Sequence, residues 1–236
     1  RARWLKDSFG VRVAAAAGDI AASADVLVLA VKPQQMRAAL AGLRLQPGCV
    51  VVSIAAGIQL ASLARWLGDG VHLVRTMPNT PALLGAGISG LYAAPSVPPA
   101  ARQLAETVLG AAGTCVWIDS EAQIDAVTAV SGSGPAYFFL LTEVMREAGV
   151  KLGLAPDVAA QLALQTFIGA ARMADDGAGK GIDVVQLRAN VTSKGGTTEA
   201  AVRHLENAGL RAIFADALQA AADRSRELGA ALAKET

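Results

Sequence analysis

The strongest constraint on the fold is a series of short apolar runs that do not alternate with polar residues. Asp25-Val26-Leu27-Val28-Leu29-Ala30-Val31 is the first, residues 49–54 the second and residues 71–75 the third. A strand exposed on one face alternates apolar and polar side chains, whereas a strand covered on both faces is apolar throughout. Each run is followed by a turn and a segment of helical periodicity, over 33–43 and 59–67. Residues 87–93 and 114–118 read as two more strands, with a helix at 99–109 between them. Strands that alternate with helices predict a mostly parallel α/β sheet. Short helical patterns also occupy 1–8 and 19–24.

After Ile118 the strand pattern stops. Helical periodicity covers 121–130, resumes after Ser131-Gly132-Ser133-Gly134-Pro135 as far as residue 150, and recurs at 156–176, 183–191, 199–207 and 210–229. The sequence therefore predicts two domains: an α/β unit over 1–118 and an all-α unit over 119–236. The segment Ala136-Tyr137-Phe138-Phe139-Leu140-Leu141 is apolar around the whole helix, which predicts burial on every side. With the small-residue run Ala215, Ala217, Ala220, Ala221 and Ala222, it predicts a helical domain that completes its core with a second copy.

Composition narrows the function classes. Of the 236 residues 53% are hydrophobic, 17% charged and 4% aromatic, and the formal net charge is +1. No long basic run is present, which argues against nucleic acid. No apolar run is read as long enough to span a membrane. Cys49 and Cys115 match no metal spacing and lie in apolar runs, as expected of buried thiols in a reducing, cytoplasmic compartment. His72 and His204 lack the partners of a catalytic triad or a metal site.

Two regions can carry chemistry. In open α/β sheets ligands bind beyond the carboxyl ends of the strands. Three such ends are unusual here: Ala30-Val31-Lys32-Pro33, Ile54-Ala55-Ala56-Gly57 and Met77-Pro78-Asn79. Small residues there let a flat ring or a ribose approach. The other region is Val191-Thr192-Ser193-Lys194-Gly195-Gly196-Thr197-Thr198, a glycine turn that opens a helix. Successive amides in such a turn can cradle an anion, and the positive end of the following helix adds to this. An ordinary threonine-capped helix would look the same. Glu121 and Asp125, four apart on one helix face, can share a site, although paired carboxylates on a helix are usually solvent-facing charge. A nucleotide-type sheet, an anion loop and no strong general acid together fit hydride transfer to a substrate that carries its own positive charge, such as a protonated imine.

The segments Ile124-Asp125-Ala126-Val127-Thr128 through Ser133-Gly134-Pro135-Ala136-Tyr137, and the loop 191–198, resemble pyrroline-5-carboxylate reductase, with Lys194 where proline is commonest. The resemblance implies an NADP- or NAD-binding Rossmann domain, here incomplete because its first strands are missing, followed by an all-α dimerisation domain. It implies reduction of pyrroline-5-carboxylate to proline by a cytoplasmic homodimer, with five dimers in a decameric ring common in the family. Ala30, Val31, Lys32, Pro33, Ile54, Ala55 and Ala56 would line the cofactor, Met77, Pro78 and Asn79 would border the nicotinamide, and Asn190 would reach it from the helical domain. Glu121, Val191, Ser193, Gly195, Gly196, Thr197 and Thr198 would hold the substrate, with Thr198 bonded to the imine nitrogen as the catalytic residue. The chain would then be a fragment that binds cofactor poorly alone. A related reductase acting on another cyclic imine or a hydroxy acid, and a non-catalytic dimerisation module, are the other readings.

Overall fold

The structure is a computed structural model that describes residues 2–234. Two compact units emerge: Arg1–Gly132 with Ala220–Thr236, and Ser133–Gln219.

The first unit is built on a five-stranded sheet in sequential order: β1 (Val26–Leu29), β2 (Val50–Ser53), β3 (His72–Met77), β4 (Gly87–Ala93) and β5 (Gly113–Trp117). β1, β2 and β3 run parallel, with Val28 opposite Val52 and Val52 opposite Val74. β4 is antiparallel to β3 and parallel to β5. The expected mostly parallel sheet is thus present, with one reversal at the hairpin-like 3₁₀ segment Thr80–Leu84.

The continuous apolar character of β2 follows from cover on both faces. Successive side chains on a strand point to opposite sides. Val51 joins Leu29, Met36, Leu40, Ile58 and Leu63 in one core cluster. Val50 and Val52 join Val74, Leu91, Ala101, Ala105 and Leu109 in the other. The helices on these faces are α3 (Met36–Leu40) and α4 (Leu60–Leu67) on one side and α5 (Pro99–Gly110) on the other. Two short helices, α1 (Ala2–Phe9) and α2 (Gly18–Ala21), precede β1. Pro33 opens a single 3₁₀ turn before α3, so the expected helix over 33–43 is split and short.

The sequence put the domain boundary at 118/119, but the compact unit extends to Gly132. α6 (Gln123–Val127) buries Ile124 at 1% exposure, and Ala129 in the π-helical turn Thr128–Gly132 is 2% exposed. The last helix also differs. Expected to end at 229, α11 runs Leu210–Lys234, and its final turns belong to the first unit. Ser225 Oγ donates to Asp125 Oδ1 at 2.6 Å, and Leu232 packs on the cluster around Leu63. Both departures depend on partners distant in sequence, which local periodicity does not register.

The second unit contains α7 (Gly134–Lys151), α8 (Pro156–Gly179), α9 (Val184–Asn190), α10 (Thr197–Asn207) and the start of α11. α7 and α8 approach closely where Gly149 faces Ala159, and Phe138 stacks on Phe167 at 5.6 Å between ring centroids. The apolar start of α7 was expected to be buried in a core completed by a second copy; in the single chain Phe138, Phe139 and Leu140 are 53%, 63% and 59% exposed. By length and composition alone, the stretch Gln123–Lys151, with an 18-residue window of mean hydropathy 1.2, is long and apolar enough to cross a membrane, which corrects the reading that no run is.

Candidate functional site

The parallel register of β1, β2 and β3 brings their carboxyl ends to one edge, so the segments after Leu29, Ser53 and Met77 emerge side by side. Ala30, Val31 and Lys32 are exposed, and Pro33 is half-buried at the start of the 3₁₀ turn. Ala55 is buried, its amide donating to Ser53 Oγ at 3.3 Å, and Ala56 is exposed. Ile54 is half-buried, its amide donating to Leu29 O on the neighbouring strand at 3.2 Å. Met77 is 8% exposed, Pro78 is half-buried, and Asn79 Oδ1 accepts from the Ile88 amide at 3.0 Å. The Asn79 side chain therefore fixes the turn between β3 and β4.

The turn after β2 is held at two places. Gly57 has φ +78°, a conformation L side chains resist. A Cβ there would stand 2.8 Å from Leu232 Cδ1 and 3.4 Å from Gly229 Cα, so α11 lies directly against this turn. The second restraint is Glu121. Its Oε1 accepts from the Leu60 amide and from Arg75 Nη1, each at 2.8 Å. Leu60 is the first residue of α4, whose N-cap Gln59 makes no side-chain cap bond. Glu121 therefore caps α4 from outside the helix and neutralises its positive end. Glu121 and Asp125 neither share a site nor stand as simple solvent-facing charge, for both are half-buried and have separate partners. Glu121 precedes α6 and bonds Leu60 and Arg75, whereas Asp125 bonds Ser225. Arg75 was not singled out from sequence. It is 5% exposed, and among the described residues its Nε has no partner.

In the second unit, the loop between α9 and α10 is bracketed by an ion-pair cluster. Glu206 on α10 pairs with Arg188 on α9 at 3.1 Å and with Arg211 at 2.7 Å. The Arg211 hydrogen bond is the main reason the Glu206 carboxyl titrates below its ordinary range, and Arg188 adds to this. Within the loop, Val191, Ser193, Gly195, Thr197 and Thr198 are exposed and Gly196 is half-buried. Gly195 has φ +75°. Its amide donates to Glu199 Oε2 at 2.7 Å, and the Gly196 amide donates to Ser193 O at 3.0 Å. Both glycine amides of the expected nest are therefore already engaged, one by Glu199 of α10 and one by the Ser193 carbonyl. Among the described residues, the first-turn amides of Thr197, Thr198 and Glu199 have no intrahelical acceptor. A Cβ at Gly196 would lie 2.6 Å from Ser193 Oγ, a side-chain atom that rotation can move, and 3.1 Å from Ser193 O. A cavity of about 360 Å³ beside it is lined by Gly195, Gly196, Glu199, Arg203, His204 and Asn207. Asn190, at the end of α9, accepts from Gln186 Nε2 at 2.7 Å.

Comparison with known proteins places these features in a family. Residues 121–228 match the model described as pyrroline-5-carboxylate reductase dimerisation, and residues 1–57 match that described as NADP oxidoreductase coenzyme F420-dependent. The pyrroline-5-carboxylate reductase of Pseudomonas aeruginosa is 50% identical over 226 residues, covering 95% of this chain and 82% of that protein. This chain belongs to the pyrroline-5-carboxylate reductase family. The Corynebacterium melassecola reductase is 41% identical, with 97% and 85% covered. Among solved structures, the Coxiella burnetii reductase superposes with a TM-score of 0.89 at 42% identity, covering 96% of this chain and 84% of that one. The Plasmodium falciparum enzyme, solved with NADP bound, gives 0.75 at 29% identity, covering 92% and 81%. The sheet followed by a helical domain is the architecture of this family, and the chain carries its dimerisation domain. The match to that domain starts at 121, close to the boundary read from sequence, while the compact helical unit starts at Ser133.

Proposed function

We propose that this protein reduces 1-pyrroline-5-carboxylate to L-proline with NADPH or NADH, as a homodimer in the cytoplasm. The observation that carries the reading is the pair of matched stretches. Residues 1–57 contain two of the strand-end segments, and residues 121–228 contain the 191–198 loop, so both candidate regions fall inside the family match.

The strand-end edge has the features a dinucleotide needs: parallel strand ends side by side, small residues at Ala55 and Ala56, and a capped helix start at Leu60. Ala30, Val31, Lys32, Pro33, Ile54, Ala55 and Ala56 would hold the cofactor, with Met77, Pro78 and Asn79 near its nicotinamide and Asn190 as a further contact. The cofactor supplies the hydride. The chain supplies binding and orientation. The first-turn amides of Thr197 and Thr198 hold the substrate carboxylate at the positive end of α10, with Val191, Ser193, Gly195 and Gly196 shaping the loop around it. The Thr198 hydroxyl oxygen accepts a hydrogen bond from the protonated ring nitrogen. A protonated imine carries its own activating charge, so a hydroxyl suffices and no stronger acid is needed.

The exposed aromatic face of α7 supports pairing with a second copy, and assembly of five dimers is the finer form of this proposal. Pyrroline-5-carboxylate-dependent oxidation of NADPH tests the activity. Oligomerisation without turnover would favour a dimerisation module instead. Thr198→Ala should lower kcat/KM by about tenfold or more, equivalent to about 1.4 kcal/mol of transition-state stabilisation. An unchanged value removes Thr198 from the mechanism.

A further inference from the structure

We propose that Glu121, together with Arg75, is a positioning residue for the cofactor edge and not a contact of the substrate ring. The inference rests on the functional reading above, in which residues 54–56 line the cofactor. Three observations carry it. The first is that one carboxylate oxygen, Glu121 Oε1, serves two internal donors, Leu60 N and Arg75 Nη1, each at 2.8 Å. The second is where those donors lie. Leu60 begins α4 and so ends the turn that follows β2, and Arg75 lies on β3, two residues before Met77. One side chain thus joins two of the three segments assigned to the cofactor. The third is the state of Arg75. Its side chain is 7% exposed and its Nε has no partner among the described residues. A guanidinium so enclosed depends heavily on the carboxylate beside it.

The physical consequence is directional. Without the Glu121 charge, the positive end of α4 is uncapped and the enclosed guanidinium loses its counter-ion. α4 and β3 can then shift apart, moving residues 54–56 relative to 77–79. The loop 191–198 has its own restraints, through Glu199 and Glu206, and Glu121 is not among them.

The test compares cofactor and substrate constants in the full-length protein bearing Glu121→Gln. A second variant, Arg75→Met with Glu121→Gln, leaves no uncompensated buried charge and keeps the test usable if the single variant does not fold. Cofactor affinity is measured directly by NADPH fluorescence titration, without turnover, so the result does not depend on the identity of the substrate. The KM for pyrroline-5-carboxylate is measured separately at saturating NADPH. We expect the NADPH dissociation constant to rise about tenfold or more in both variants while the substrate KM stays within about twofold. A raised substrate KM with unchanged NADPH affinity would overturn the proposal and return Glu121 to the substrate. Unchanged values for both would also overturn it. Wild-type protein that binds NADPH without reducing pyrroline-5-carboxylate would refute the activity while leaving the titration able to judge the positioning role.

Discussion

Replacing Gly57 with alanine examines the contact between α11 and the turn after β2. At φ +78° an L residue pays a backbone cost of about 1–2 kcal/mol. The new Cβ would lie 2.8 Å from Leu232 Cδ1, about 1 Å inside the usual carbon–carbon separation of roughly 3.5–4.0 Å. Overpacking of this kind costs about 1–3 kcal/mol. Loss of glycine freedom in the unfolded chain returns about 0.4–1 kcal/mol. Gly57→Ala should therefore destabilise by about 2–4 kcal/mol. Leu232→Ala removes the clashing methyl. Alone it should cost about 1–2 kcal/mol, less than a fully buried leucine, because Leu232 is only half-buried. In the double variant the overpacking disappears and the backbone cost remains, so the double should cost less than the sum of the singles by about 1–3 kcal/mol. The assay is urea unfolding followed by tryptophan fluorescence, since Trp66 packs on the same cluster as Leu232. Protein concentration must be held constant, because assembly shifts apparent stability by mass action. Additivity within about 0.5 kcal/mol would refute the reasoning, showing that Leu232 does not meet Gly57 in the folded protein.

Two further perturbations test other parts of the structure. Arg102 donates to the carbonyls of Ala93, Ala94 and Val97 at 3.1, 2.9 and 3.3 Å and lies over the Trp117 ring at 5.2 Å. Arg102→Ala should cost about 2–3 kcal/mol by urea unfolding, because charged hydrogen bonds to partly buried carbonyls are lost together; a change below about 0.5 kcal/mol would contradict this. Glu206 is held below its ordinary titration range, so its contribution is present above the unfolded carboxylate's midpoint and fades as pH falls through the lower, folded one. Arg211→Ala should raise the Glu206 midpoint seen by NMR titration, and an unmoved midpoint would show that the Arg211 hydrogen bond does not form in solution.

The local chemistry of the sequence was enough to find most elements. The non-alternating valine runs marked strands covered on both faces, and β2 is buried at all four positions. The motifs around Ser131–Pro135 and 191–198 were specific enough to point to the family, because they combine several unusual backbone requirements in a short span. Spacing alone could not supply the partners of a side chain. Glu121 and Asp125, four apart, read from spacing as a pair able to share a site or as solvent-facing charge, yet each bonds a residue far away in the chain. Glu199 was legible as a helix residue, but its bond to the Gly195 amide depends on how the loop folds back. Arg75 gave no signal, since one arginine inside an apolar strand resembles an edge position until its neighbours are known.

What the sequence determined by itself is the order of strands and helices and the glycine turn before α10, because hydrophobic period and backbone sterics act over a few residues. Tertiary structure decided the antiparallel turn of β4, the return of the end of α11 to the first unit, and the use of one carboxylate to tie α4 to β3. Each of those depends on groups tens of residues apart meeting at hydrogen-bond or van der Waals distance, and only the folded chain brings them there.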